Sequence, residues 1–164
     1  MDIIERQAQP YVGITASITM TTFGKIADRI PEIAGWMAAN GVEIAGPPFL
    51  RYHLIDMERE LVVEAGFPTT GRVDGEGEIT PGVLPAGRYV THTHHGHPDQ
   101  LGDVIDEMHA WVAGRGLSWD MEQTPDGERW GCRLEVYHTH PGQEPDPNNW
   151  DTQLLFRLKD PARP

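Results

Sequence analysis

The sequence predicts an α+β fold. A β-α-β-β unit is written twice, and the copies form a pseudo-twofold, two-sheet domain with a central ligand groove. Three observations predict it. Trp36 and Trp111 stand 75 positions apart, and the same offset joins Pro10 to Pro85, Asp28 to Asp103, Ile30 to Ile105 and Gly41 to Gly116. Each copy carries one apolar stripe at helical spacing. Each stripe follows one extended segment and precedes two more.

Tyr11 to Thr19 is the first extended segment. Ile26, Ile30, Ile33 and Met37 then recur at helical spacing and end at Asn40-Gly41. Pro31 interrupts this stripe, so the helix either kinks or starts afresh there. Phe49–Leu54 and Glu60–Phe67 close the first half as strands. A segment rich in Gly, Thr and Glu, about 69–82, reads as a mobile linker. Arg88 to His95 opens the second half. Pro98 suits a first helical turn, and Leu101, Val104, Ile105, Met108, Trp111 and Val112 form the second stripe, ending near Gly114 and Gly116. Arg133–His138 and Thr152–Leu158 are its strands. After Gly116 the register slips: Tyr52-His53 matches Tyr137-His138 at an offset of 85, and the extra residues, 121-MEQTPDGERW-130, read as a Pro-Gly loop. The chain is thus expected to be one domain, with half 1 about 1–68 and half 2 about 83–164.

Composition narrows the function. The 164 residues carry a net charge of −12, with no basic stripe or helix-turn-helix pattern, which argues against direct nucleic-acid binding. The single cysteine, Cys132, excludes an internal disulfide and points to a reducing cytoplasm. Beside Arg133 it reads as a small packed residue rather than a reactive thiol. The N-terminal residues lack a signal-peptide pattern, and no apolar run approaches the roughly 20 residues of a membrane helix.

The stretch 90-VTHTHHGH-97 holds four of the eight histidines, and 138-HTH-140 adds two more. His92 and His94 share one strand face and so offer two ligands. A third is missing, and His138 and His140 lie at another strand's end. Two ligands are not a metal site. The segment 87-GRYVTHTH-94 is faintly similar to a cupin motif, but its spacing is one residue short and the helical repeat argues against a cupin. No metal and no cofactor are expected.

Function shows where the two copies differ. At the offset of 85, Leu50 matches Glu135 and Tyr52 matches Tyr137. Glu135 and Tyr137 share a face, and Leu134 and Val136 face the other way, expected to be onto the helix. One carboxylate would then sit among apolar groups in the groove. Phe49, Trp119, Trp130, Trp150 and Phe156 lie on neighbouring segments and are candidate walls. A plainer reading makes Glu135 a solvated strand carboxylate and the helical tryptophans core residues.

These segments carry a resemblance. The stretches 45-AGPPFLRYH-53, 60-ELVVEAGFP-68, 84-LPAGRYVTHTHHG-96, 134-LEVY-137 and 149-NWDTQLLFRL-158 resemble, in order, the GyrI-like small-molecule-binding domain. That domain also serves as the effector-binding domain of AraC- and MerR-type multidrug regulators. The resemblance implies the tandem fold and a groove for amphipathic, often cationic or aromatic compounds. It places the acidic residue and tyrosine of an E-x-Y motif on Glu135 and Tyr137, and implies no metal. Without a DNA-binding segment, the sequence is similar to stand-alone members. These include gyrase inhibitors and a branch that hydrolyses cyclopropane-bearing natural products.

Three functions stay open. The first is a receptor or sequestering protein for hydrophobic small molecules. The second is a hydrolase in which Glu135 handles a proton and Tyr137 hydrogen-bonds developing charge. The third is a protein-partner role, toward a transcription regulator or gyrase.

Overall fold

The computed structural model describes residues 1–161. Strands β1 (Asp2–Arg6) and β2 (Gln9–Ile18) lead to helices α1 (Gly24–Ala27) and α2 (Ile30–Ala39), then to strands β3 (Phe49–Ile55) and β4 (Leu61–Pro68). The second half repeats the series: β5 (Thr80–Leu84), β6 (Gly87–His95), α3 (Leu101–Gly114), a hairpin of β7 (Met121–Thr124) and β8 (Gly127–Trp130), then β9 (Arg133–Tyr137) and β10 (Asp151–Arg157). The repeated unit is therefore β-β-α-β-β, one strand longer than the sequence suggested. Residues 121–130, expected as a loop, pair as a hairpin around Pro125-Asp126.

All strand pairs are antiparallel. The order is β1-β6-β10-β9-β3-β4-β2-β5. The two half-sheets meet edge to edge through β9 and β3, so they form one continuous sheet. The outer strands are exchanged: β1 pairs with β6 of the other half, and β5 pairs with β2. In these strands the repeat runs at an offset of 78, which places Tyr11 on Tyr89 and Val12 on Val90, whereas the helices keep 75. The prolines paired at 75 in the sequence are thus out of structural register.

Both main helices sit on one face of the sheet. Pro31 occupies the first turn of α2, so a new helix starts there, where a missing N–H costs nothing. Ile26, Ile33 and Met37 are fully buried, as are Met108 and, nearly so, Val112 and Leu101 at the offset of 75. Burying each such side chain contributes about 1.5–3 kcal/mol. The helices stop alike. Gly41 and Gly116 both have φ of +67°, and Val42 and Leu117 donate back to the Met37 and Val112 carbonyls at 2.9 and 3.2 Å. This six-residue closure needs a left-handed residue, which glycine supplies without a Cβ clash. Trp36 and Trp111 lie half-buried at the rim of this core. Trp36 donates to Glu76 at 2.9 Å, and the Arg115 guanidinium stacks 3.7 Å from the Trp111 ring.

The other face is buried by the curl of the sheet. Ile4 of β1 and Leu84 of β5, at opposite ends of the strand order, pack into one cluster with Phe49, Leu134, Val136 and Leu155 from its middle. A polar group shares this interior. The Tyr11 hydroxyl donates to Glu64 at 2.5 Å, His53 bonds the same oxygen at 2.9 Å, and Arg51 donates to Tyr11 at 3.0 Å.

The segment expected as a linker crosses α2. Glu78 pairs with Arg29 at 3.0 Å, Ile79 is buried in the helix-side core, and Thr80 begins β5. No helix of the described residues is long and apolar enough to cross a membrane.

Candidate functional site

Leu50 and Glu135 are register partners across the β3–β9 junction. They are also repeat equivalents, so the pseudo-twofold axis passes between them. Position 50 is a buried leucine and position 135 a carboxylate. Tyr52 and Tyr137 flank the pair on the same face. The Tyr137 hydroxyl donates to Glu135 Oε2 at 2.9 Å. Tyr52 is buried beside the same carboxyl, and its ring lies 6.3 Å from Phe23.

This face is the helix face, which corrects the sequence expectation. Leu50, Tyr52, Leu154 and Phe156 belong to the core that contains the helices, whereas Leu134 and Val136 point into the curl. Strand alternation gave the right grouping of residues. It could not say which group the helices cover, because both groups are apolar enough to be buried. Phe49 goes with Leu134, not with Glu135, and so is not a wall of the site. Trp150 is also displaced. It ends a short 3-10 turn, and its indole N–H donates to the Glu144 carbonyl at 2.7 Å.

Trp119, Trp130 and Phe156 do gather beside the axis, with centroids 5.5–5.6 Å apart. His109 of α3 joins them and accepts from the Trp119 indole at 2.9 Å. Arg133 lies among these rings, and the sequence reading did not single it out. Its guanidinium carbon is 4.4 Å from the Phe156 centroid, 5.0 Å from Trp130 and 5.8 Å from Tyr52. The signal was available: Arg133 shares a strand face with Glu135, two residues away. A cleft of about 650 Å³ opens here between α3, the β7–β8 hairpin and the end of β3, with Arg133, His109 and Glu128 on its walls.

The electrostatics follow from burial. Desolvation pushes the Glu135 carboxyl above its usual range, and hydrogen bonding from Tyr137 and Tyr52 and the positive field of Arg133 oppose this. Burial and the neighbouring carboxylate push both phenols, Tyr52 and Tyr137, well above the ordinary tyrosine range. Desolvation lowers the His109 imidazole, which favours the neutral ring that accepts from Trp119.

Three histidines of the 90–97 stretch, and both of the 138–140 group, find local partners. His94 meets Gln100 at 3.0 Å, His95 meets Asp151 at 2.8 Å, His97 accepts from the Asp99 amide, and His138 meets Gln153 at 2.8 Å. His140 accepts from the Gly142 amide. Among the described residues no three His, Cys, Asp or Glu side chains converge as metal ligands.

The family model of the GyrI-like small molecule binding domain matches residues 1–159. The chain belongs to this family. Several solved structures share the fold of this GyrI-like domain. The EcmrR C-terminal domain has a TM-score of 0.74 at 21% identity, covering 98% of this chain and 97% of that one. EcmrR in its DNA complex gives 0.75 at 19% identity, and there this chain, covered to 98%, spans only 57% of the length of that one. A hydrolase from Listeria innocua gives 0.65 at 13% identity, covering 96% and 91%. SAV2435 bound to tetraphenylphosphonium gives 0.55 at 12% identity, covering 96% and 93%. At these identities the likeness is one of fold. No curated protein sequence matches the chain.

Proposed function

We propose that this GyrI-like domain binds hydrophobic, cationic or amphipathic small molecules on the helix-side face of the sheet around Glu135, as an effector-binding or drug-sequestering module. One observation carries the reading. A half-buried carboxylate lies on the pseudo-twofold axis, bonded by a phenol but not ion-paired, with aromatic rings beside it. Such a carboxylate favours a ligand that brings a positive charge and an apolar body, because the pair forms where water is scarce. SAV2435, a fold relative, binds tetraphenylphosphonium, a lipophilic cation.

Titration with tetraphenylphosphonium tests it. Wild type should bind saturably. Glu135→Gln should weaken binding by about 1–3 kcal/mol, the range for losing a charged partner. Unchanged affinity in the variant would remove Glu135 from the site.

A second reading rests on the raised Glu135 pKa and the Tyr137 hydrogen bond. In it, a hydrolase uses Glu135 as general acid or base and Tyr137 to hydrogen-bond developing charge on a reactive, cyclopropane-bearing substrate. Here Glu135→Gln would leave ligand affinity intact and lower turnover by about 10²–10⁴-fold. Measuring both quantities on one variant separates the readings.

A further inference from the structure

The cleft between α3 and the β7–β8 hairpin is lined by a cation, Arg133, that no protein side chain hydrogen-bonds among the described residues. Arg133 is only 7% exposed, yet its guanidinium makes no hydrogen bond and no ion pair with any described residue. The rings of Phe156, Trp130 and Tyr52 surround its guanidinium carbon at 4.4, 5.0 and 5.8 Å. Arg133 also borders the cleft of about 650 Å³. None of the Arg133 nitrogens is among the fully buried polar atoms without a partner, so its N–H groups keep solvent contact and are open to an acceptor on a ligand in the cleft. Glu135 is the nearest charge on its own strand, but the two are not within 4.0 Å, and Glu135 is bonded by Tyr137 instead. The wall opposite is acidic. Asp103 and Asp106 of α3 and Glu128 of β8 line the same cleft; none of the three is ion-paired among the described residues, and Glu128 accepts from the Trp130 indole at 3.1 Å. Arg59, the other arginine there, is taken up by Asp56 at 2.7 Å.

We propose that this cleft is a subsite for the anionic group of a zwitterionic amphiphile. Arg133 receives a ligand carboxylate through its N–H fork. The carboxylates of α3 and β8 face the ligand's amine or delocalised cation, and the aromatic rings hold its body. A purely anionic ligand is repelled by the acidic wall. A purely cationic one leaves Arg133 unmet. The zwitterion satisfies both, and this gives the groove a preference that a lone glutamate does not. The inference rests on the small-molecule reading above and adds the ligand class.

Rhodamine B and rhodamine B ethyl ester form a matched test. They share one cationic chromophore and differ by a free carboxylate. Fluorescence anisotropy titration of the whole chain should show rhodamine B binding about tenfold or more tightly than the ester, the worth of one charge-assisted hydrogen bond. Arg133→Met should remove that preference while still binding the ester. Arg133→Lys keeps the charge without the planar fork, and should keep only part of it. It also serves if the methionine variant does not fold. Equal affinity of wild type for the two dyes, or a preference that survives in Arg133→Met, overturns the proposal. If wild type shows no preference but still binds tetraphenylphosphonium, only the subsite falls. If it binds none of the three, the groove reading falls with it.

Discussion

The carboxyl of Glu135 lies between the phenols of Tyr137 and Tyr52 and near a guanidinium that does not bond it. Burial raises its pKa, so in a window above the ordinary carboxylate range the folded chain keeps a proton that the unfolded chain has lost. Stability attributable to this group therefore falls as pH rises through that window. Glu135→Gln removes the fall. The variant should melt above wild type at neutral pH, and the two should converge at acid pH, as thermal scans across pH would show. Cation binding has the opposite slope, because only the ionised carboxylate attracts the ligand. Tetraphenylphosphonium affinity should rise with pH in wild type and be flat over the same window in Glu135→Gln.

Among the described residues, the β7–β8 hairpin is a strand pair with no counterpart in the first half. It docks on the end of β3 through Leu54–Arg129 and Ile55–Glu128 and forms one wall of the cleft. Gly127 makes this docking possible. Its φ is +128°, and a Cβ there would lie 2.5 Å from the Ile55 carbonyl oxygen. Gly127→Ala should therefore cost about 1–3 kcal/mol, the range for a disfavoured backbone conformation, measured by denaturant titration. It should also weaken rhodamine B more than tetraphenylphosphonium, since it moves the wall that carries Glu128. The insertion was visible in the sequence as the slip from 75 to 85. That it forms strands was not, because a Thr-Pro-Asp-Gly run reads as a loop until its flanks find β3.

At the scale of the molecule, the exchange of β1 and β5 ties the halves together. Each half lends its first strand to the edge of the other, and both strands complete the interior cluster with Ile4 and Leu84. A fragment of residues 1–68 lacks β5, so its β2 edge and the inner face of β3 are left open, a template for aggregation. Expressed alone, it should show no cooperative thermal transition by circular dichroism, whereas the full chain should show one. A cooperative melt of the fragment would mean that the exchanged strand is dispensable.

What the sequence determined by itself was whatever depends on local spacing. The helix stripes, their glycine stops, the strands around Tyr52 and Tyr137, and the Leu50/Glu135 asymmetry all follow from periodicity within one segment or identity between two. The resemblance to the GyrI-like domain rests on the same residues. Tertiary structure decided everything that depends on which surfaces meet. It put the helices on the Glu135 face, sent Phe49 into the curl, exchanged the outer strands and set Arg133 among three rings beside an open cleft. Alternation sorts a strand's residues into two sets, and when both sets are apolar, only the packing of distant segments says which set is inside and which faces a ligand.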